Sequence, residues 1–304
     1  MTERIIYAGT YTGKESEGIY RFSFNEGKLG EADIFCRINN PKYLCRYKDR
    51  IIAVCDFDNG SGTALIDPEG NILDQICFEN ETSCYVTCKD DYIYTANYHA
   101  GTVSKLKITN NRFTLIKNIT IRNGAGCHQV LFYKDKILVL CLFLDKIIIF
   151  DEDLNQADEI IFPEGSGPRH GIFPVNGDDL YLASELSNEL FMIDMETKKI
   201  SAKTDLLNKT HVKGTAAIRM KDDHLYVSTR GEDVISVVSI NDLELKQIHD
   251  CGGEHPRDFI IVDDHLVCAN RFSNNVVSFA LNKDGSIGEK TGEIYVPEAV
   301  SLIL

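Results

Sequence analysis

Internal repetition constrains this sequence more than any other feature. An apolar, β-forming run ending on a small or polar residue recurs seven times. It reads IIYAGTY from Ile5, IIAVCD from Ile51, YIYTANY from Tyr92, ILVLCLF from Ile137, LYLASE from Leu180, LYVSTRG from Leu225 and LVCANR from Leu266. The starts lie a little over forty residues apart, the period of a four-stranded propeller blade. A second β-branched run comes directly after each one: GIYRFSF, GTALID, GTVSKLKI, KIIIFD, ELFMID, VISVVSI and NVVSFAL. Another short strand precedes every first run but the opening one: PKYLCRYK, SCYVTCK, CHQVLFYK, PRHGIFPV, GTAAIRMK and PRDFIIV. Gly, Pro, Asn and Asp punctuate the runs, as they do between paired strands. A less regular run such as DQICFE, LIKNITI or EIIFP closes each repeat. With the four strands labelled A to D in chain order, the pattern predicts an all-β, seven-bladed β-propeller forming one domain over residues 1–304.

The two ends fit that ring. The sequence opens on a B strand and finishes, in VPEAVSLIL, on what reads as an unpartnered A strand. Ala299–Leu304 is therefore expected to supply the innermost strand of the first blade, which removes an exposed sheet edge. An open β-sandwich array or a pair of sandwiches is the remaining alternative. No stretch of helix length carries apolar 3.6-residue periodicity, so α/β folds fall away. The sequence contains no run of roughly eighteen apolar residues that could span a membrane as a helix.

Charge narrows the partners. A net charge of −14 opposes nucleic acid and anionic membranes as partners. A small anionic substrate would need a local cluster of cations against that field. The ten cysteines sit mostly inside apolar runs (Cys36, Cys55, Cys77, Cys141, Cys268), which suits reduced, buried thiols. Cys84 and Cys88 have no matching Cys/His pair, so zinc is not expected. The start, MTERIIYAGTY, lacks the long apolar core of a secretion signal. The expectation is a cytoplasmic monomer or weak homo-oligomer with neither metal nor cofactor.

The organising stretch is PEGSGPRHGIFPVNGDDLYLASELSNEL, Pro163 to Leu190, which reads as strand, hairpin turn, strand. Antiparallel pairing puts the start of its first strand, Arg169 and His170, beside the end of its second, Glu185. In a propeller the A strands line the central channel, so this edge surrounds one mouth. Read around the ring it collects Thr10 and Tyr11; Asn40, Pro41 and Asp56; Asn97, Tyr98 and His99; Cys127 and His128. Beyond these come Arg169, His170 and Glu185; Arg230; and His255, Arg257, Asn270 and Arg271. Such a polar-rimmed concavity is the default ligand site.

Each residue also has a plain structural reading. Arg169 and Arg257 come after Gly-Pro and His-Pro and could fix turns between blades. Arg230 could pair with a neighbouring acid, and Glu185 could be that acid. His128, His170 and His99 could serve hydrogen bonding or turn capping. His211, His224, His249 and His265 read as solvated residues of outer strands or turns. Functionally, arginine forks hold carboxylate or phosphate oxygens. A nearby carboxylate or imidazole can take a proton from water or a carbon acid, while other donors hold a developing oxyanion. That set suits opening or closing a cyclic ester on an anionic substrate. The strand-to-helix elbow of serine hydrolases is absent.

At these residues the sequence resembles the lactonase family of seven-bladed propellers. That family includes bacterial propeller-type 6-phosphogluconolactonases and fungal 3-carboxymuconate lactonizing enzymes. The resemblance is carried by YAGTYTGKESEGIY (7–20), NNPKYL (39–44), ANYHAGTV (96–103), GCHQV (126–130) and GSGPRHGIF (165–173). It continues through LYLASELSNEL (180–190), LYVSTRGEDVI (225–235), HPRDF (255–259) and ANRFSNNVVSF (269–279). It implies a cofactor-independent lactonase, with 6-phosphogluconolactone the leading substrate. A carboxymuconate-type cycloisomerase and a non-catalytic interaction propeller are the alternatives. It places active-site roles on His128, Arg169, Glu185 and Arg230. Arg257, His170, His99, Asn97 and Asn270 are the expected substrate contacts.

Overall fold

The computed structural model describes residues 3–175, 177–208 and 212–304; His211 lies outside them. The strands assemble into seven antiparallel sheets of four, with a further two-residue strand, Lys28–Leu29, in the first. The fifth blade is representative, running Pro168–Ile172, Asp179–Ser184, Glu189–Asp194 and Lys199–Asp205. The first is closed as the chain ends predict. Ala299–Ile303 pairs antiparallel with Arg4–Thr10, setting Tyr7 opposite Ile303 and Ala8 opposite Leu302.

Side chains alternate across each strand, so both faces of a central strand are apolar and every blade packs on two neighbours. The apolar core divides accordingly into seven clusters, one per junction. Ile6, Phe22 and Leu302 of the first blade meet Val262, Val267 and Val276 of the seventh. Leu138, Leu140 and Ile147 of the fourth meet Leu180, Leu182 and Phe191 of the fifth. The seventh-to-first cluster is what the C-terminal strand completes.

The inner strands share an irregularity that positions polar groups. In six blades the A–B pairing slips at the end where A begins. The slip leaves Val300, residues 40–42, His128, Arg169, Ala216 with Ala217, and Arg257 without ladder partners. An unpaired bulge residue re-aims its side chain away from the ordinary pleat. At four of these slips a left-handed residue stands two places before the polar residue that is freed. Asn40 (φ 48°), Gly126 (70°), Gly167 (67°) and His255 (65°) precede Lys42, His128, Arg169 and Arg257. Gly167 is required for a second reason, since a Cβ there would stand 2.5 Å from Leu186 Cγ.

Candidate active site

The bulged residues and the loops after the B strands enclose a cavity of about 200 Å³ at one mouth of the channel. Its wall includes Tyr11, Lys42, Thr82, Cys84, Tyr98, His99, His128, Glu185, Arg230 and Arg257. Glu185 comes directly after strand Asp179–Ser184, and its backbone N–H is held by Gly167 O at 2.8 Å. Its Oε2 accepts from Arg169 Nε at 2.8 Å and lies 2.8 Å from Arg230 Nη2. Both guanidiniums are anchored again on the sixth blade, to which Arg230 itself belongs. Arg169 Nη1 donates to Ala216 O at 2.6 Å, and Arg230 Nε to Gly214 O at 3.0 Å. Glu185 Oε1 has no partner among the described residues. One carboxylate oxygen is thus fixed by two arginines, and the other is left for a ligand or water.

His128 joins this wall from the fourth blade. Its Nδ1 lies 3.1 Å from Nε2 of His170, which is buried one layer below. Burial, then the charges of Arg169 and the neighbouring His170, hold the His128 imidazole well below its usual pKa. Burial and Arg169 do the same to His170. Both rings are therefore neutral near pH 7. Burial and Arg230 bring Arg169 down to about 10, with Glu185 the chief opposing influence. Tyr98 is raised by burial and by the Glu185 charge. Burial raises Cys84 to about 12, so its thiol stays protonated, and it donates to Cys127 O at 3.3 Å.

A second group of cations gathers around the Tyr11 ring. Arg271 lies 4.0 Å, Lys42 5.4 Å and Arg257 5.5 Å from its centroid. Such contacts stabilise cations by about 1 kcal/mol. Arg271 approaches Glu298 at 3.9 Å. Lys42 and Arg257 have no carboxylate within salt-bridge distance among the described residues. With Arg169 and Arg230 they leave the site cationic against the single charge of Glu185, inside a chain of net −14. The volume falls below the range for drug-sized ligands, so a small anion fits both size and charge.

A family profile described as a seven-bladed β-propeller lactonase matches residues 5–304. The chain belongs to the lactonase family. An uncharacterized Staphylococcus saprophyticus protein is 31% identical over 303 residues, covering 87% of this chain and 88% of its own. A crystal structure from Lactobacillus plantarum superposes with TM-score 0.90 at 27% identity, covering 99% of both chains. A Bacteroides fragilis structure, provisionally described as a 6-phosphogluconolactonase, gives TM-score 0.85 at 23% identity over 99% of this chain and 97% of that one. At that identity the last likeness speaks to fold alone.

In this lactonase-family propeller the residues expected from the sequence divide into three groups. His128, Glu185, Arg230, Arg257 and His99 line the cavity. Arg169 and His170 stand directly behind them, holding Glu185 and His128. Asn97 and Asn270 are fully buried away from the wall. Asn97 Nδ2 donates to Glu79 Oε2 and Glu81 O, and Asn270 Nδ2 to Cys251 O, so both serve the scaffold. Asn270 ends its strand, and the pleat turns it away from the side taken by the next residue, Arg271. His224, His249 and His265 are half-buried on the blades.

Sequence reasoning missed Lys42, Thr82 and Cys84 on the wall and Arg219 with Asp258 beneath it. Arg219 Nη2 lies 2.6 Å from Asp258 Oδ1, while Asp258 Oδ2 accepts the Leu302 N–H at 2.9 Å. This pair ties the sixth blade to the seventh and to the closing strand. Lys42 carried a usable signal. Asn-Pro-Lys, Gly-Pro-Arg and His-Pro-Arg repeat one pattern at the head of three inner strands.

Proposed function

We propose that this chain is a cofactor-independent, cytoplasmic lactonase that hydrolyses a small anionic sugar lactone, with 6-phosphogluconolactone the leading substrate. The observation that carries the reading is a cationic cavity in which a half-open carboxylate, a neutral imidazole and unpaired cations converge. The anionic substituent lies between Lys42 and Arg257, and the ester carbonyl faces His128 and Arg230. Water adds to the carbonyl carbon while Glu185 or His128 takes its proton. The oxygen that becomes negative is held by the remaining donors. The ring C–O bond then breaks, and the leaving alkoxide receives the proton that the base took up. Binding of the remote anion orients the ester and supplies part of the catalytic advantage.

The test is hydrolysis of a panel of phosphorylated, neutral and aromatic lactones by purified protein, with Glu185→Ala and Arg169→Ala alongside. Hydrolysis confined to anionic lactones and lost in both variants supports the reading; full activity in both variants removes it.

A further inference from the structure

The lactonase reading leaves open which of two groups takes the proton from water, and the buried histidine pair decides between them. We propose that His170 is a positioning residue that fixes His128 in the tautomer carrying its proton on Nε2. His128 then offers the cavity a hydrogen-bond donor, and Glu185 is the proton acceptor. The role of that donor in ester hydrolysis rests on the lactonase reading; the tautomer itself does not.

Two neutral imidazoles joined by one hydrogen bond allow only two arrangements. In the first, His128 Nδ1–H donates to His170 Nε2. His170 must then carry its own proton on Nδ1. That atom is fully buried and has no partner among the described residues, so this arrangement strands an N–H donor. In the second, His170 Nε2–H donates to His128 Nδ1 across the same 3.1 Å. His170 Nδ1 is then a bare lone pair, and His128 carries its proton on Nε2.

The second arrangement is favoured, because orphaned buried N–H donors are rarer in proteins than orphaned acceptors. Packing holds the geometry. His170 stands edge-on to Tyr43 and Tyr85, with centroids 6.2 and 5.7 Å away. His128 stands edge-on to Tyr98 at 5.9 Å. His128 Nε2 has no protein partner among the described residues and opens on the cavity. Such a donor can hold the oxygen that gains charge as water adds. Glu185 Oε1 remains as the acceptor on the same wall.

The experiment reads the tautomer directly, from the imidazole nitrogen resonances of 15N-histidine-labelled protein without substrate. His128 is assigned by difference against His128→Gln. The expected result is a protonated Nε2 and a bare Nδ1 on His128; the reverse overturns the proposal. Two variants add a kinetic readout. His170→Phe removes the donor and is expected to lower kcat at least tenfold with KM within about twofold. His170→Gln, whose amide N–H can still donate to His128 Nδ1, is expected to restore kcat to within about threefold of wild type. An equal loss in both variants would overturn the positioning role. Wild-type protein inactive on every lactone would remove the lactonase reading alone, since the spectrum decides the tautomer by itself.

Discussion

Replacing Glu185 with Gln changes almost no volume but removes the carboxylate that bridges two guanidiniums. Arg169 is 2% exposed and both bonds to Glu185 Oε2 measure 2.8 Å. Breaking a buried ion pair by neutralising one partner costs about 3–5 kcal/mol, because the other charge is left uncompensated. Two features reduce the loss toward the lower end. The glutamine carbonyl can still accept from one arginine, and Glu185 and Arg230 are 16% and 15% open to the cavity. The expected destabilisation is about 3 kcal/mol, or about 5 °C in melting temperature for a chain of this size. It should shrink when phosphate is added, since an anion that binds the folded variant between the arginines stabilises it by mass action. The assay is thermal and urea unfolding in buffer free of multivalent anions, repeated with phosphate. Loss of the proton acceptor should also lower kcat by about 10²–10⁴. A variant that melts within 1 °C of wild type would refute the electrostatic account of Arg169.

Three further perturbations test other parts of the structure. Lys42→Met should raise KM for a phosphorylated lactone about 10- to 100-fold, the value of one charge-assisted hydrogen bond. A neutral lactone should be unaffected, and equal effects on both would exclude a contact with the anionic group. Acid should destabilise the fold, because His128, His170 and His255 are all held neutral, His255 at about 3 by burial and then Arg230. With folded values below the ordinary 6.5, the unfolded chain binds the extra protons, so stability is intact above pH 6.5 and falls below it, complete for His255 near pH 3. Each histidine contributes up to about 1.4 kcal/mol per pH unit within its window, less for the partly exposed His255. Urea unfolding between pH 6.5 and 4.5 should show a shallower slope for His255→Asn; an unchanged slope would exclude its role. Leu302→Ala in the closing strand should cost about 2–5 kcal/mol, and a variant as stable as wild type would mean that the seventh-to-first junction is not sealed by this strand.

The blades were legible because each is a local antiparallel unit whose strand runs and turns recur in sequence, and because a ring of such units must also close. The shared edge was legible for the same reason. Antiparallel pairing fixes that the start of Pro168–Ile172 meets the end of Asp179–Ser184, which brings Arg169 to Glu185. What the pattern could not supply is where each polar side chain points. Asn97 and Glu185 each sit one residue past the end of a B strand, yet only Glu185 reaches the cavity. The difference is Glu79, a carboxylate between the second and third blades whose pKa burial pushes up. It takes hydrogen bonds from Asn97, Thr102, Ser104 and Asn118. Nothing in an isolated strand pattern reveals such a demand from the neighbouring blade.

The slips in the A–B pairing are equally hidden from alternation, because one inserted residue moves every later side chain of the strand to the other face. They select Lys42, His128, Arg169 and Arg257 from among the polar residues of the inner strands. The third blade has no slip at this position, and Tyr85, in its inner strand, packs against Tyr43 and His170 and accepts from Gln129. Among the wall residues that belong to inner strands, Lys42, His128 and Arg257 all sit at such a break in pairing. A left-handed residue, one intervening residue and then a side chain freed from the ladder is a device any blade could adopt. Charge on that third residue, as at Lys42 and Arg257, is what makes the mouth cationic in a chain otherwise strongly negative.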